Sequence, residues 1–368
     1  MNREAAFRVP GVVVNHIGAS TLQYSSCPSI AVLPSGEYVV SFGLLGKGGS
    51  NTESVVCRSR DQGQTWDRIG EWHGQVWSKL FLHRGALYAI GTDHADRGHG
   101  RLNGRMVIRR SDDGGHTWTE PTDAEHGLLS DSEGYHTAPV PVVAHRDRLW
   151  KAYEFAPGPD RRSWRAFVMS APEDADLLRR SSWTVSEMRD PWPGHQWIEG
   201  NVVVTPDGEL LDILRVNDMD GRAEGRGGDE TAAILHVSPD GTRLEHNREV
   251  DSLRFTGGGT KFTINRDRET GWYLALVNPQ DTDELWRNRL VLSASRDLRT
   301  WSVVKDLLSH PDKEKHAFQY VDWPFDEDDI VFVSRTAWDD EEGGTARAHD
   351  ANYITFHRVE GFRRLLHE

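Results

Sequence analysis

The chain has 368 residues, 37% of them apolar, with a formal net charge of −14. That balance argues against nucleic acid and against an anionic membrane surface, because both require clustered Lys and Arg. No apolar run approaches the roughly 18 residues of a membrane-spanning helix, and the opening MNREAAFRVP lacks a hydrophobic signal core. The protein is therefore expected in the cytoplasm, or secreted with a leader not present in this sequence.

Along the chain, tight-turn signals recur. LPSGEY centres on Ser35, HRGALY on Gly85, HRDRLW on Asp147, TPDGEL on Asp207, NRDRETGWY near Arg268 and FDEDDIV on Asp328. Each turn joins two strand-like runs, such as PSIAVL with YVVSFG and NVVVTP with LLDILRV. A third run follows a longer loop: ESVVCRS, RMVIRRS, RAFVMSA, AAILHVS, RLVLSAS and NYITFHR. A short fourth run, such as WDRIGEW, often comes next. Long amphipathic helical patterns are missing.

Six such units predict an all-β fold, a six-bladed β-propeller of four-stranded antiparallel blades in one domain, residues 1–368. Seven blades stay open if two units have been merged. A four-stranded sheet cannot bury both faces alone, so the blades must stack around an axis. The last unit lacks a fourth strand, and residues 8–16, with the run GVVVNH, are the candidate to close the ring. The 14 Trp, 8 Tyr and 12 Phe must supply much of the packing area. Cys27 and Cys57 match no metal-site spacing, and the sequence does not decide whether they pair.

One octapeptide is written twice and then worn down: SRDQGQTW at Ser59–Trp66, SDDGGHTW at Ser111–Trp118 and SRDLRTW at Ser295–Trp301. Fainter versions are SPDGTRL from Ser238 and SAPEDADLL from Ser170. Each clear copy falls between the third and fourth runs of a unit. Its Asp can cap the hairpin's N–H groups, its Gly can take positive φ, and its Trp can tuck between blades. Graded decay over several copies suits a fold device, since a reactive centre needs one copy. These motifs are Asp boxes of the form S-x-D-x-G-x-T-W. With the blade period they make nearly the whole chain resemble the sialidase superfamily.

Strand direction alternates within a blade, so the octapeptides and the tight turns share the bottom face. The opposite rim carries the long loops at 43–53, 92–104, 156–163, 216–230, 278–288 and 336–351, and long loops gathered on one rim shape ligand sites. Strand starts bring Ser29, Trp77, Tyr135, His136, Trp197, Glu199, Asn201, Lys261, Gln319, Tyr320 and Asp322 to that rim. Strand ends bring Asp93, His94, Glu154, Arg215, Asn278 and Arg335, and the last loop adds His349 and Asp350.

Glu199 opens the first strand of the fourth unit and Arg215 ends its second, so a hairpin sets them side by side. Tyr320 opens the sixth unit. The sialidase resemblance implies a Tyr nucleophile, a Glu as its base and an Arg on the substrate carboxylate at similar places. The chemistry is coherent: a phenol with a pKa near 10 needs a carboxylate to take its proton, and an Arg fork pairs with a carboxylate. The sequence also departs from that family. CPSI stands where an Arg-Ile-Pro stretch is expected, Lys261 and Asn278 stand where the fifth blade should offer an Arg, and the first-blade acid/base Asp has no match. Two of three arginines are thus not evident.

The leading expectation is an exo-acting glycoside hydrolase taking a terminal anionic sugar from an oligosaccharide or polysaccharide. Tyr320 would attack with Glu199 as base, His136 or Glu154 would protonate the leaving oxygen, and Arg215 with Arg335 would hold the acid. Only one of Tyr135 and His136 can face the axis on a regular strand. A polysaccharide lyase is the alternative, drawing on Arg215, Asn278, His136, His349 and Tyr320. A non-enzymatic carbohydrate-binding propeller is the third. Trp77, Trp197 and Trp286 could stack on sugar rings, while Lys261, Gln319, Tyr135, His94 and Asp350 complete the substrate-binding candidates. His94, Asp96 and His99 fit no metal template, Arg161, Arg162 and Arg165 read as a solvated loop, and no motif demands a cofactor.

Overall fold

The computed structural model describes residues 8–93, 104–156, 164–218, 230–280 and 286–366. They form six antiparallel sheets arranged as a propeller, with six blades and almost no helix. The innermost strands, in chain order, are Gln23–Val32, Gln75–His83, Tyr135–His136 with Val143–His145, His195–Val204, Thr263–Arg266 and Ala317–Asp322. Blade three's inner strand is split because Pro139 and Pro141 cannot donate to the ladder. Blade two has three named strands, and the fourth expected there is replaced by irregular chain that bonds to the third strand from Thr119 to Arg110 and again at the Val107–Leu128 bridge.

The ring closes at blade six. Val12–His16 pairs antiparallel with Tyr353–Val359, so the two ends of the chain share one sheet. The core lies in the seams between blades. Tyr38, Val40 and Phe42 of blade one meet Val331, Val333 and Phe356 of blade six, and Leu276 and Leu292 of blade five meet Phe318 and Trp323 of blade six. Each sheet buries both faces this way, which explains the near-continuous apolar runs of the middle strands. Cys27 and Cys57 are free and buried. Among the described residues no helix is long and apolar enough to cross a membrane.

The octapeptides behave as pins. Asp61 accepts from the Thr65 N–H and hydroxyl, and Ser59 Oγ accepts from the Gly63 N–H at 2.7 Å. The Ser111–Trp118 copy repeats the pattern with Asp113, Thr117 and Gly115. Each Trp reaches the preceding blade: Trp66 packs on Phe356, Trp118 on Trp72 and Trp301 on Phe255. Gly63 sits at φ 89°, and a Cβ there would strike the Phe356 ring. In the worn copy Leu298 holds the equivalent left-handed position at φ 62°.

A second repeated device positions the site. In four inner strands the register slips by one residue, between Ser26 and Ser29, Val76 and Lys79, Ile198 and Asn201, and Gln319 and Asp322. Each bulge holds one non-glycine residue at positive φ: Cys27 at 35°, Trp77 at 53°, Glu199 at 58° and Tyr320 at 53°. On a regular strand successive side chains point alternately into the two seams. The bulge breaks that alternation and re-aims one side chain per blade, at a cost of about 1–3 kcal/mol each.

Candidate active site

Glu199 and Arg215 meet as the hairpin argument expected. Glu199 Oε2 lies 2.9 Å from Arg215 Nη1, and both side chains are 5% exposed. Arg215 Nε also donates to Asn217 Oδ1 and to the Gly259 carbonyl, each at 3.0 Å. Burial disfavours the Arg215 charge, but Glu199 and the nearby Tyr320 phenol outweigh it and hold the guanidinium pKa above its ordinary value. The Tyr320 phenol therefore sits on the same guanidinium as its expected base.

Two further guanidiniums close around Tyr320. Arg335 lies over its ring at 4.9 Å and Arg287 at 5.5 Å from the centroid. Burial, together with the like charges of Arg215 and Arg335, pulls the Arg287 pKa below its usual value. Arg287 went unread in the sequence, although its loop, 278–288, was already assigned to the rim. The expectation that two of three arginines are not evident is thus corrected in part: Arg287 supplies a fifth-blade guanidinium beside Arg215 and Arg335 of blades four and six, while the first blade still offers none. Arg335 also lies over Tyr24 of blade one at 5.3 Å, so a cation from the neighbouring blade reaches the side where CPSI offers none. Tyr24 and Cys27 were likewise unread. Cys27 packs with Trp77 and Tyr320, and burial pushes its thiol up to about 11.

The blade three side carries a second pair. His136 Nδ1 is 2.8 Å from Glu154 Oε2, and Glu154 Oε1 accepts from the Gly200 N–H at 3.1 Å, one residue past Glu199. The imidazole is held edge-on between Trp77 at 4.7 Å and Trp164 at 4.6 Å. His349 stands across from Tyr320 with ring centroids 6.1 Å apart. Its Nδ1 is 2.8 Å from Asp350 Oδ1, and Arg335 donates to its carbonyl. Burial and Arg335 push His349 down to about 3, so it is neutral near pH 7.

Other rim candidates lie elsewhere. Tyr135 packs on Phe155 and Phe167 in the seam, the alternate face from His136. Trp197 is 1% exposed among Trp192 and His246, so it cannot stack on a sugar. Asn278 is spent on the Arg289 and Phe318 carbonyls, and Gln319 Nε2 on those of Ala348 and His349. Lys261 is buried and donates to Thr263 and the Val321 carbonyl. Asp93 pairs with Arg105. Ser29 and Lys79 converge on Asp322, each at 2.7 Å, as a plug across the axis. Beyond that plug, along the lower halves of the inner strands, lies a cavity of about 540 Å³ lined largely by apolar side chains such as Ile30, Leu80 and Ile264. It is separate from Glu199 and Tyr320. His94, Asp96, His99, Arg161 and Arg162 lie outside the described residues. Among the described residues no group of three His, Cys, Asp or Glu is placed to hold a metal ion.

Behind the His136–Glu154 pair, Asp212 is fully buried and neither carboxyl oxygen has a hydrogen-bond partner. Its carboxyl lies so close under Gly200 that a Cβ there would come within 2.3 Å of Oδ1. Burial, with Glu154 nearby, raises the Asp212 pKa well above the ordinary value. The folded state thus keeps a proton that the unfolded chain releases near pH 4, and rising pH penalises folding from there upward. Asp212→Asn is expected to raise Tm at pH 8 by about 2 °C or more, with the gain shrinking toward pH 4 in a pH series of thermal melts.

No protein-family model matches the chain, and no curated protein matches it. Solved structures do. A Hadza microbial sialidase superposes with a TM-score of 0.65 at 17% identity, over 95% of this chain and 68% of its own. The Trypanosoma rangeli sialidase in complex with sialic acid gives 0.64 at 14%, over 98% of this chain and 59% of its own. The α-L-arabinofuranosidase Arb93A from Fusarium graminearum gives 0.63 at 12%, over 98% and 99%. The chain therefore has the propeller fold that sialidases and arabinofuranosidases share.

Proposed function

We propose that this protein is a glycoside hydrolase that removes a terminal sugar bearing a carboxylate. The observation that carries the reading is the convergence of Arg215, Arg287 and Arg335 on Tyr320 beside Glu199. Three guanidiniums on one phenol form an anion-selective corner, and a carboxylate bound there in bidentate fashion would orient the sugar. Tyr320 oxygen attacks the anomeric carbon as the bond to the aglycone oxygen breaks, Glu199 takes the phenol proton, and the aglycone leaves with a proton that the water of the next step replaces. Water then displaces the phenol, and Glu199 returns the proton. The structurally similar enzymes are by name sialidases and arabinofuranosidases, which suggests two glycone classes, sialic acid and arabinofuranose, and the arginine corner favours the acidic one. The experiment is release of aglycone from matched sialosides, uronides and arabinofuranosides. Turnover of an acidic glycoside at least 100-fold above its neutral counterpart is expected, with Arg287→Gln raising KM for the acidic one about tenfold or more. Preference for arabinofuranosides overturns the acidic assignment. New ultraviolet absorbance from an unsaturated uronate overturns hydrolysis in favour of elimination.

A further inference from the structure

Glu53, the carboxylate at the rim end of the first blade's third strand, is taken up by Arg68, so a hydrolase of this kind needs another proton donor. The inference rests on the hydrolase reading above, and the site leaves few candidates. Glu154 is 0% exposed, with one oxygen on His136 and the other on Gly200. Asp212 is sealed behind it. Asp350 is tied to His349 and Arg347, which hold its carboxyl well below the usual range, so it has no proton to give near neutrality. His349 is deprotonated there for the opposite reason, burial beside Arg335. Lys151 is buried and its ammonium is spent on Thr137 and the Ala138 and Ala152 carbonyls.

His136 is the candidate that remains. Its side chain is 12% exposed, where its partner Glu154 is sealed, so one edge reaches the cleft. Nδ1 is committed to Glu154, while Nε2 makes no hydrogen bond among the described residues. Trp77 and Trp164 clamp the ring from two sides. Trp77 also shares with Cys27 and Val76 the apolar cluster against which Tyr320 packs, which ties the imidazole to the same cleft as the nucleophile.

We infer that His136 is the general acid/base of this site, acting through Nε2, with Glu154 as its positioning residue. The carboxylate holds the Nδ1–H tautomer, leaving Nε2 to carry the mobile proton. In the first step the Nε2 proton goes to the glycosidic oxygen as its bond to the anomeric carbon breaks and the Tyr320 bond forms. In the second, neutral Nε2 takes a proton from the attacking water as the Tyr320 bond breaks. The proton returns to its starting place and no further reactant is consumed.

The test is leaving-group dependence, measured on one glycone carrying either a sugar or a nitrophenolate as leaving group. His136→Ala is expected to cut kcat on the sugar-linked substrate by 10²–10⁴, the usual worth of a positioned acid, and on the nitrophenyl substrate by under about tenfold, because nitrophenolate leaves without protonation. Glu154→Gln should show the same asymmetry at about 10-fold to 100-fold. Equal losses on both substrates overturn the assignment. Nitrogen-15 NMR of His136 tests the positioning without turnover: an Nδ1–H tautomer in wild type that is lost in Glu154→Gln is expected, and an Nε2–H tautomer in wild type overturns it. Absence of turnover on every glycoside sinks the hydrolase reading, while the NMR result still decides whether Glu154 orients His136.

Discussion

Tyr320→Phe is expected to lower kcat by about 10⁴-fold or more while leaving the fold intact. The substitution removes one oxygen and keeps the ring over which Arg287 and Arg335 lie. Its structural cost is the phenol oxygen's interaction with Arg215, which keeps Glu199, Asn217 and Gly259 as partners. Thermal unfolding should therefore shift by no more than about 1 kcal/mol. Glu199→Gln should fall to a similar rate, because a nucleophile and its base act as one unit, and the double variant should be little worse than either single one. Steady-state rates and melts on the three variants check this. Retention of more than a tenth of wild-type kcat in Tyr320→Phe would remove the phenol from the reaction and leave Glu199 as the candidate nucleophile.

The second large effect belongs to Arg215. Arg215→Met breaks an ion pair whose two members are almost sealed from water, so Glu199 is left as a buried and unpartnered charge. Loss of about 3–5 kcal/mol of stability is expected, along with activity. Pairing the change with Glu199→Gln should recover a large part of that loss, because the stranded charge is then gone. A double-mutant cycle by denaturant unfolding measures the coupling. A single-variant cost below about 1 kcal/mol would show that Glu199 is reached by water after all. The residue after Glu199 has a separate constraint: it is Gly200 because the Asp212 carboxyl leaves no room for a Cβ there.

The repeated turns and octapeptides announced the blades because local interactions dictate them. An Asp that accepts from the N–H and the hydroxyl of the Thr four residues on, and a Gly that must take positive φ, are written within a single loop. The rim face followed from strand direction alone, and Glu199 with Arg215 followed from hairpin geometry. Arg287 did not, because nothing in WRNR shows that its side chain turns toward Tyr320, 33 positions later. His136 and Tyr135 are neighbours, and which one faces the cleft depends on the phase of a strand interrupted by prolines. Trp77 and Trp197 open equivalent strands, yet a one-residue bulge aims Trp77 at the axis while Trp197, two positions before its blade's bulge residue, is buried in the seam.

What this sequence determines by itself is periodic and local: the blade repeat, the pins between blades, the rim that gathers the long loops and the hairpin-adjacent pair Glu199 and Arg215. The tertiary structure alone decided which charges share one cleft. Arg215, Arg287 and Arg335 arrive from three blades, and their meeting on Tyr320 depends on ring closure and on bulges that rotate single side chains toward the axis. Burial then sets the chemistry. It leaves His136 an open edge while sealing Glu154, keeps Asp212 protonated and His349 neutral, and no pattern along the chain encodes the depth at which each group lies.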